Sequence, residues 1–260
     1  MNKTLIFTKC FQCTPGFALI VLISLVTGQS VALANVTQAQ YEESKKTEVW
    51  EPVPVKVEAK PGEAPSDAII LFDGNGLDAW EDKDGNDVKW ESTPYAMTVV
   101  PGTDYIYSKQ SFCDVQMHIE WRATREEEKT GQNKANSGVF LQSRYEIQVL
   151  DSYDNKTYPN GQAASVYKQY IPLVNATRPA EEWQSYDIIY TAPRFEGEKL
   201  IKPAYLTLLH NGVLVHNNVE LKGQTEWIGE PKYYPHGCLP IKLQDHGSAN
   251  SFRNIWVREI

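Results

Sequence analysis

Residues 136–151, NSGVFLQSRYEIQVLD, constrain the fold more tightly than any other stretch. A small-residue entry (Asn136, Ser137, Gly138) leads into 139–142, and 144–150 then alternates without a break. Tyr145, Ile147 and Val149 fall on one side of an extended chain and Arg144, Glu146 and Gln148 on the other, because successive strand residues face opposite sides. A strand with one apolar and one polar row belongs to a sheet that packs on one side only and leaves a polar outer surface. Residues 117–122 repeat the pattern, with Met117, Ile119 and Trp121 opposed to His118, Glu120 and Arg122. So do 241–246, with Ile241 and Leu243 opposed to Lys242, Gln244 and His246. The expectation is that these strands turn their ionisable sides toward one shared hollow.

Short strands recur on either side: 68–72, 96–100, 105–108, 186–190, 205–210, 213–216 and 254–259. Asp73-Gly74-Asn75-Gly76 and Asn211-Gly212 are strong turn signals. No helix-period segment exceeds about two turns, which makes the chain all-β, a sandwich or jelly roll of antiparallel sheets. At 260 residues with 42% hydrophobic content it can bury one sizeable core. A formal charge of −8 with no basic patch excludes a nucleic-acid partner.

Residues 1–34 read as a cleavable signal peptide. Lys3 and Lys9 precede the short apolar run FALIVLISLV, and Ala32-Leu33-Ala34 supplies a small-x-small cleavage site. The expected location is secreted or periplasmic, without stable membrane insertion after cleavage, which takes the formal charge from −8 to −10. Residues 35–66, punctuated by Pro52, Pro54, Pro61 and Pro65, read as an extended arm in which Trp50 docks on the main body. The globular domain is 67–260. Its two cysteines, Cys113 and Cys238, either pair or remain small buried thiols; the second reading is favoured, because sequence cannot show their separation. No metal-ligand cluster and no cofactor motif occurs.

Three polar constellations could carry chemistry. Glu146 and Gln148 share a strand face, with Asp151 at the strand's exit. A retaining glycosidase needs two carboxylates about 5 Å apart; position 150 is Leu, so this strand lacks the second one, which Glu120 could supply from elsewhere. The bland reading of Glu146 is a carboxylate paired with Arg144 or Arg122. His246, before Gly247 at a strand end, could reach a ligand, and Arg253 could hold an oxygen or pair with Asp245. His118, Glu120 and Arg122 form the third row.

The segments LFDGNGLDAW, MHIEWR, NSGVFLQSRYEIQVLDSYDNKTY, KPAYLTLLHNGVLVHN and KLQDHGSANSFRNIWVRE resemble, in order, the 3-keto-disaccharide hydrolase family of secreted bacterial proteins. The resemblance implies a concanavalin-like jelly roll acting on glycosides already oxidised to the ketone at sugar carbon 3, beside an oxidoreductase that makes the ketone. No cofactor is expected. Such a ketone acidifies the hydrogen on carbon 2, so a base can remove it and the aglycone can leave from carbon 1. Glu146 and His246 are expected to share the base and acid roles, with Glu120 as a further catalytic candidate. His118, Arg122, Asn136, Gln148, Asp151, Tyr167, Gln244 and Arg253 are expected to bind substrate. The alternative is a non-catalytic carbohydrate-binding sandwich using the same polar face.

Overall fold

Every second side chain of the strand Val115–Arg122 is buried (Val115, Met117, Ile119, Trp121), and those between are partly exposed. The same period buries Tyr186, Ile188 and Tyr190 of Gln184–Thr191, and Leu206 and Leu208 of Tyr205–His210. Strands that bury one face each need a second sheet to cover it. The computed structural model, which describes residues 36–260, contains that sheet. An eight-stranded sheet runs Val213–Glu220, Tyr205–His210, Gln184–Thr191, Val115–Arg122, Ser251–Glu259, Met97–Thr98, Glu91–Ser92, with Ile69–Phe72 also paired to Ser251–Glu259. A five-stranded sheet runs Trp80–Glu81, Ile106–Phe112, Leu239–Leu243, Ser137–Leu141, Tyr145–Val149. All pairings are antiparallel. Trp121, Tyr186 and Phe252 from one sheet meet Tyr145, Ile147 and Ile241 from the other in a single core. The fold is the concanavalin-like jelly-roll β-sandwich expected.

Local chemistry fixes the strand that carries Glu146. Ser137–Leu141 and Tyr145–Val149 form a hairpin whose turn puts Gln142 and Ser143 at φ 49° and 54°, a left-handed conformation unusual for such residues. The buried Gln142 amide holds that turn. It donates to the Phe112 and Gly237 carbonyls at 3.2 and 3.3 Å and accepts from the Tyr190 hydroxyl at 2.8 Å. Beside it Cys113 and Cys238 are joined in a disulfide. This corrects the favoured reading of separate thiols: Leu239 pairs with Phe112 across adjacent strands, which brings the two cysteine Cα atoms to 4.7 Å.

Other differences have equally local causes. The hairpin of Arg194–Glu196 with Lys199–Lys202 was not anticipated, being too short and polar to show an alternation. The chain divides into one compact unit ending at Val55 and another from Lys56 to Ile260. In the first, the expected extended arm contains a two-turn helix, Gln38–Ser44, started by a reciprocal cap between Thr37 and Gln40. Within that unit the Trp50 indole donates to Glu48. The signal-peptide reading falls on 1–34, outside the described residues. Among those described, no helix is long and apolar enough to cross a membrane.

Candidate active site

Tyr145–Val149 was expected to be covered on one side only; it is buried on both. On its outer side, residues 164–167 close the strand's free edge: the amides of Gln148 and Tyr167 donate to the Ser165 and Glu146 carbonyls, and Ala164 N donates to the Gln148 carbonyl. A second loop crosses nearby, where Thr225 Oγ1 accepts from the Glu146 amide at 2.9 Å and Lys168 Nζ donates to the Trp227 carbonyl at 2.6 Å. Between the loops and the sheet lies a cavity of about 310 Å³, at the small end of the ~300–1,000 Å³ common for small-molecule sites.

Adjacent strands supply its floor. Glu146 and Gln148 come from Tyr145–Val149, Phe140 from Ser137–Leu141, and Lys242 from Leu239–Leu243. Asn136 and Gln244 stand at strand ends, while Tyr105, Tyr167, Thr225, Trp227 and His246 form the walls and rim. Glu146 can lie flat across the sheet because its neighbour is glycine: a Cβ on Gly138 would come within 2.7 Å of Glu146 Oε1 and 2.8 Å of Phe140 Cε2.

Glu146 is the one carboxylate lining this cavity. Among the described residues its side chain has neither a hydrogen-bond partner nor an ion pair within 4 Å, so the bland reading of a salt bridge to Arg144 or Arg122 does not apply. Arg144 donates to Gln224 instead, and Arg122 stacks on Trp183 on the other sheet. Burial pushes the Glu146 carboxyl up to about 8, and the attraction of Lys242 only partly opposes it. Lys242 is itself lowered by burial, with its ammonium 3.8 Å from the Phe140 ring centre and 4.9 Å from that of Tyr105. This is a cation held by aromatic faces rather than by a carboxylate.

Amides complete the polar lining. Gln148 Nε2 donates to Gln132 and Asn136, and the Gln244 backbone is tied to Gly138 and Ser137. The side-chain oxygens of Gln148 and Gln244 are buried without a donor. Buried acceptors are rarely left unpaired, so both suit the hydroxyls of a bound molecule. His246 is exposed at the rim, on a turn fixed by Asp245. That carboxylate accepts from the Gly102, Thr103 and Asp104 amides and from Gly247. The pairing considered for Arg253 with Asp245 is thus replaced by this clamp.

The expected site residues therefore divide. Glu146, His246, Asn136, Gln148, Tyr167 and Gln244 meet in one cavity. His118, Glu120, Arg122 and Arg253 do not: their strands belong to the eight-stranded sheet, and their side chains leave the core in the opposite direction. The shared hollow expected of all the polar rows is corrected accordingly. Asp151 faces a separate depression, where Lys134 Nζ lies 3.2 Å from its carboxylate. Lys242, Tyr105, Phe140, Thr225 and Trp227 were not anticipated. Lys242 shares its strand face with Gln244, the one signal that could have found it. Among the described residues no cluster of three or more His, Cys, Asp or Glu is placed to hold a metal.

A candidate glycosyl hydrolase from Parabacteroides distasonis ATCC 8503 is 46% identical, covers 83% of this chain and 96% of its own, and superposes with a TM-score of 0.81. A second candidate glycosyl hydrolase from that organism shares the fold at 20% identity, covering 75% and 94%, with a TM-score of 0.57. No protein with a curated description matches the chain. The model of the 3-keto-alpha-glucoside-1,2-lyase-like domain matches residues 67–258, which include every residue lining the cavity, and the chain belongs to that family.

Proposed function

We propose that the protein cleaves glycosides bearing a ketone at carbon 3, by eliminating the aglycone across carbons 1 and 2 and then adding water. The observation that carries this reading is the solitary, buried carboxyl of Glu146. Ordinary glycosidases set two carboxylates on either side of the bond they break, and this cavity is lined by one. Elimination needs a single base, a single acid and donors for the enolate oxygen.

The steps balance without a covalent enzyme intermediate. His246, at the accessible rim, removes the proton on carbon 2, and imidazole is the usual group for proton transfer near neutral pH. The electron pair moves toward the carbon 3 oxygen, where the Lys242 ammonium stabilises the enolate charge. It returns to form the carbon 1–carbon 2 double bond as the carbon 1–oxygen bond breaks. Glu146, kept protonated by burial, gives its proton to the departing oxygen. Water then adds across the double bond, with carbon 2 regaining hydrogen from solvent. The unpaired oxygens of Gln148 and Gln244 accept sugar hydroxyls, and Trp227 and Tyr105 offer aromatic surface to the ring faces. Residues 1–34 serve as an export signal in this reading, and a sugar-oxidising enzyme supplies the ketone.

The test is to incubate the protein with a 3-keto-glucoside and with its unoxidised counterpart. Aglycone release from the ketone alone is expected. Equal release from both would contradict the reading, and binding without release would favour a carbohydrate-binding module.

A further inference from the structure

The polar row on the opposite sheet is too organised for a solvated face. Glu120 Oε2 accepts from Arg253 Nε at 2.6 Å and Oε1 from Asn254 Nδ2 at 2.9 Å. Asn254 reaches it through a break in strand register between Arg253 and Trp256, with φ of 46°. His118 Nδ1 bonds Asp187 at 2.6 Å, and its ring stacks on Trp256. Burial alone would lower the His118 imidazolium; the acids Asp187 and Glu120 outweigh it and raise it to about 9. His118 Nε2 is buried without a hydrogen-bond partner, since Glu120 Oε1 at 3.8 Å attracts it only as a charge.

The donors left over converge. Both terminal nitrogens of Arg253 lack a protein acceptor among the described residues, and its guanidinium stacks on Trp183 at 4.0 Å. Arg178 donates one nitrogen to the Trp183 carbonyl, and its backbone is locked by the Gln184 amide, which bonds it in both directions. Arg178, Arg253, His118 and Trp183 line one depression of about 270 Å³. A second, of about 350 Å³, shares Glu120 and Arg253 with it and adds Asp73, Asn254 and the exposed ring of Tyr95. Glu120 and Asp187 pair with Arg253 and His118 here, and Arg178 has no carboxylate partner among the described residues. A stacked guanidinium such as that of Arg253 holds a planar anion edge-on through its free N–H groups, and an exposed Tyr beside carboxylate and amide groups suits a sugar face and its hydroxyls.

We propose that this outer face of the eight-stranded sheet is a second binding site, specific for a carboxylate-bearing saccharide. Its carboxylate sits between Arg178 and Arg253, and its neighbouring ring lies toward Tyr95. The site is independent of the keto-sugar chemistry and faces away from the Glu146 cavity.

The experiment is a calorimetric titration of the full chain with a glucuronate-containing disaccharide, its neutral glucose counterpart, and inorganic sulfate. Binding of the acidic disaccharide at least about tenfold tighter than the other two is expected. Arg178→Gln should weaken it about tenfold and Arg253→Lys, which keeps charge but loses the fork, less; Glu146→Gln should leave it unchanged. Thermal melts confirm that each variant is folded. Absence of binding, equal affinity for the neutral sugar, or sulfate binding as tightly as the disaccharide would overturn the proposal. So would binding lost in Glu146→Gln and kept in Arg178→Gln, which would place the ligand in the other cavity.

Discussion

Two polar rows leave the core in opposite directions: Glu146, Gln148, Lys242 and Gln244 from the five-stranded sheet, and His118, Glu120, Arg122 and Arg253 from the eight-stranded one. Each contains a glutamate on a strand whose next residue faces the core. Glu120 is held by Arg253 and Asn254; burial pushes its carboxyl up, but His118, Asn254 and Arg253 outweigh it and bring it down to about 2. Glu146 has no such partner, and burial lifts it to about 8. Identical side chains in similar strands thus differ by what surrounds them: one is a fixed anion in a network, and the other a carboxyl raised by burial beside an open cavity.

Glu146→Gln should make the largest difference, lowering turnover of a 3-keto-glucoside by about 10²-fold or more. Glu120→Gln should leave turnover within about twofold while costing about 1–2 kcal/mol of stability from its lost charged hydrogen bonds. Steady-state rates and denaturant midpoints separate the two, and similar rate losses in both would break the comparison. Lys242→Met, which removes the cation and keeps an apolar stem against Phe140, should reduce turnover by about 10–100-fold. Lys242→Arg should recover part of that loss.

Gly138→Ala tests whether Glu146 needs the space beneath it. The added methyl meets Glu146 Oε1 and the Phe140 ring, so a loss of about 1–3 kcal/mol in thermal melts and about tenfold in turnover is expected. Glu146 also makes stability depend on pH. Folded Glu146 holds a proton up to about pH 8 that an unfolded carboxyl releases near 4.5. Its contribution is therefore complete below pH 4.5 and is lost as pH rises through 8. The wild-type protein should fall relative to Glu146→Gln across that window by roughly a few kcal/mol. Glu120 behaves oppositely: its contribution is present above pH 4.5 and fades only as pH falls through about 2. Stability curves of both variants against wild type measure this directly.

The same comparison shows what alternation could and could not reveal. It located Val115–Arg122, Tyr145–Val149 and Leu239–Leu243 and separated their apolar rows from their polar ones, because a strand's period is visible within a few residues. Which sheet each strand joins is not a local property. Glu120 lies opposite Arg253, 133 residues on, only because Val115–Arg122 pairs with Ser251–Glu259. The rows of His118 and Glu146 therefore look alike in sequence and end on opposite faces. Six of the residues expected at the site share the cavity because their strands are neighbours or lie beside the covering loops. Lys242 escaped selection because a lysine on a strand usually marks a solvated edge, and Thr225 and Trp227 sit in a loop with no period. Asp151 follows its strand by two residues, far enough for the chain to turn it toward Lys134.

The most direct test of the account is turnover of a 3-keto-glucoside in heavy water, with the product examined by NMR and mass spectrometry. Proton removal at carbon 2 predicts one deuterium there in every product molecule formed by the wild-type protein. Product released at the full rate with hydrogen retained at carbon 2 would contradict it.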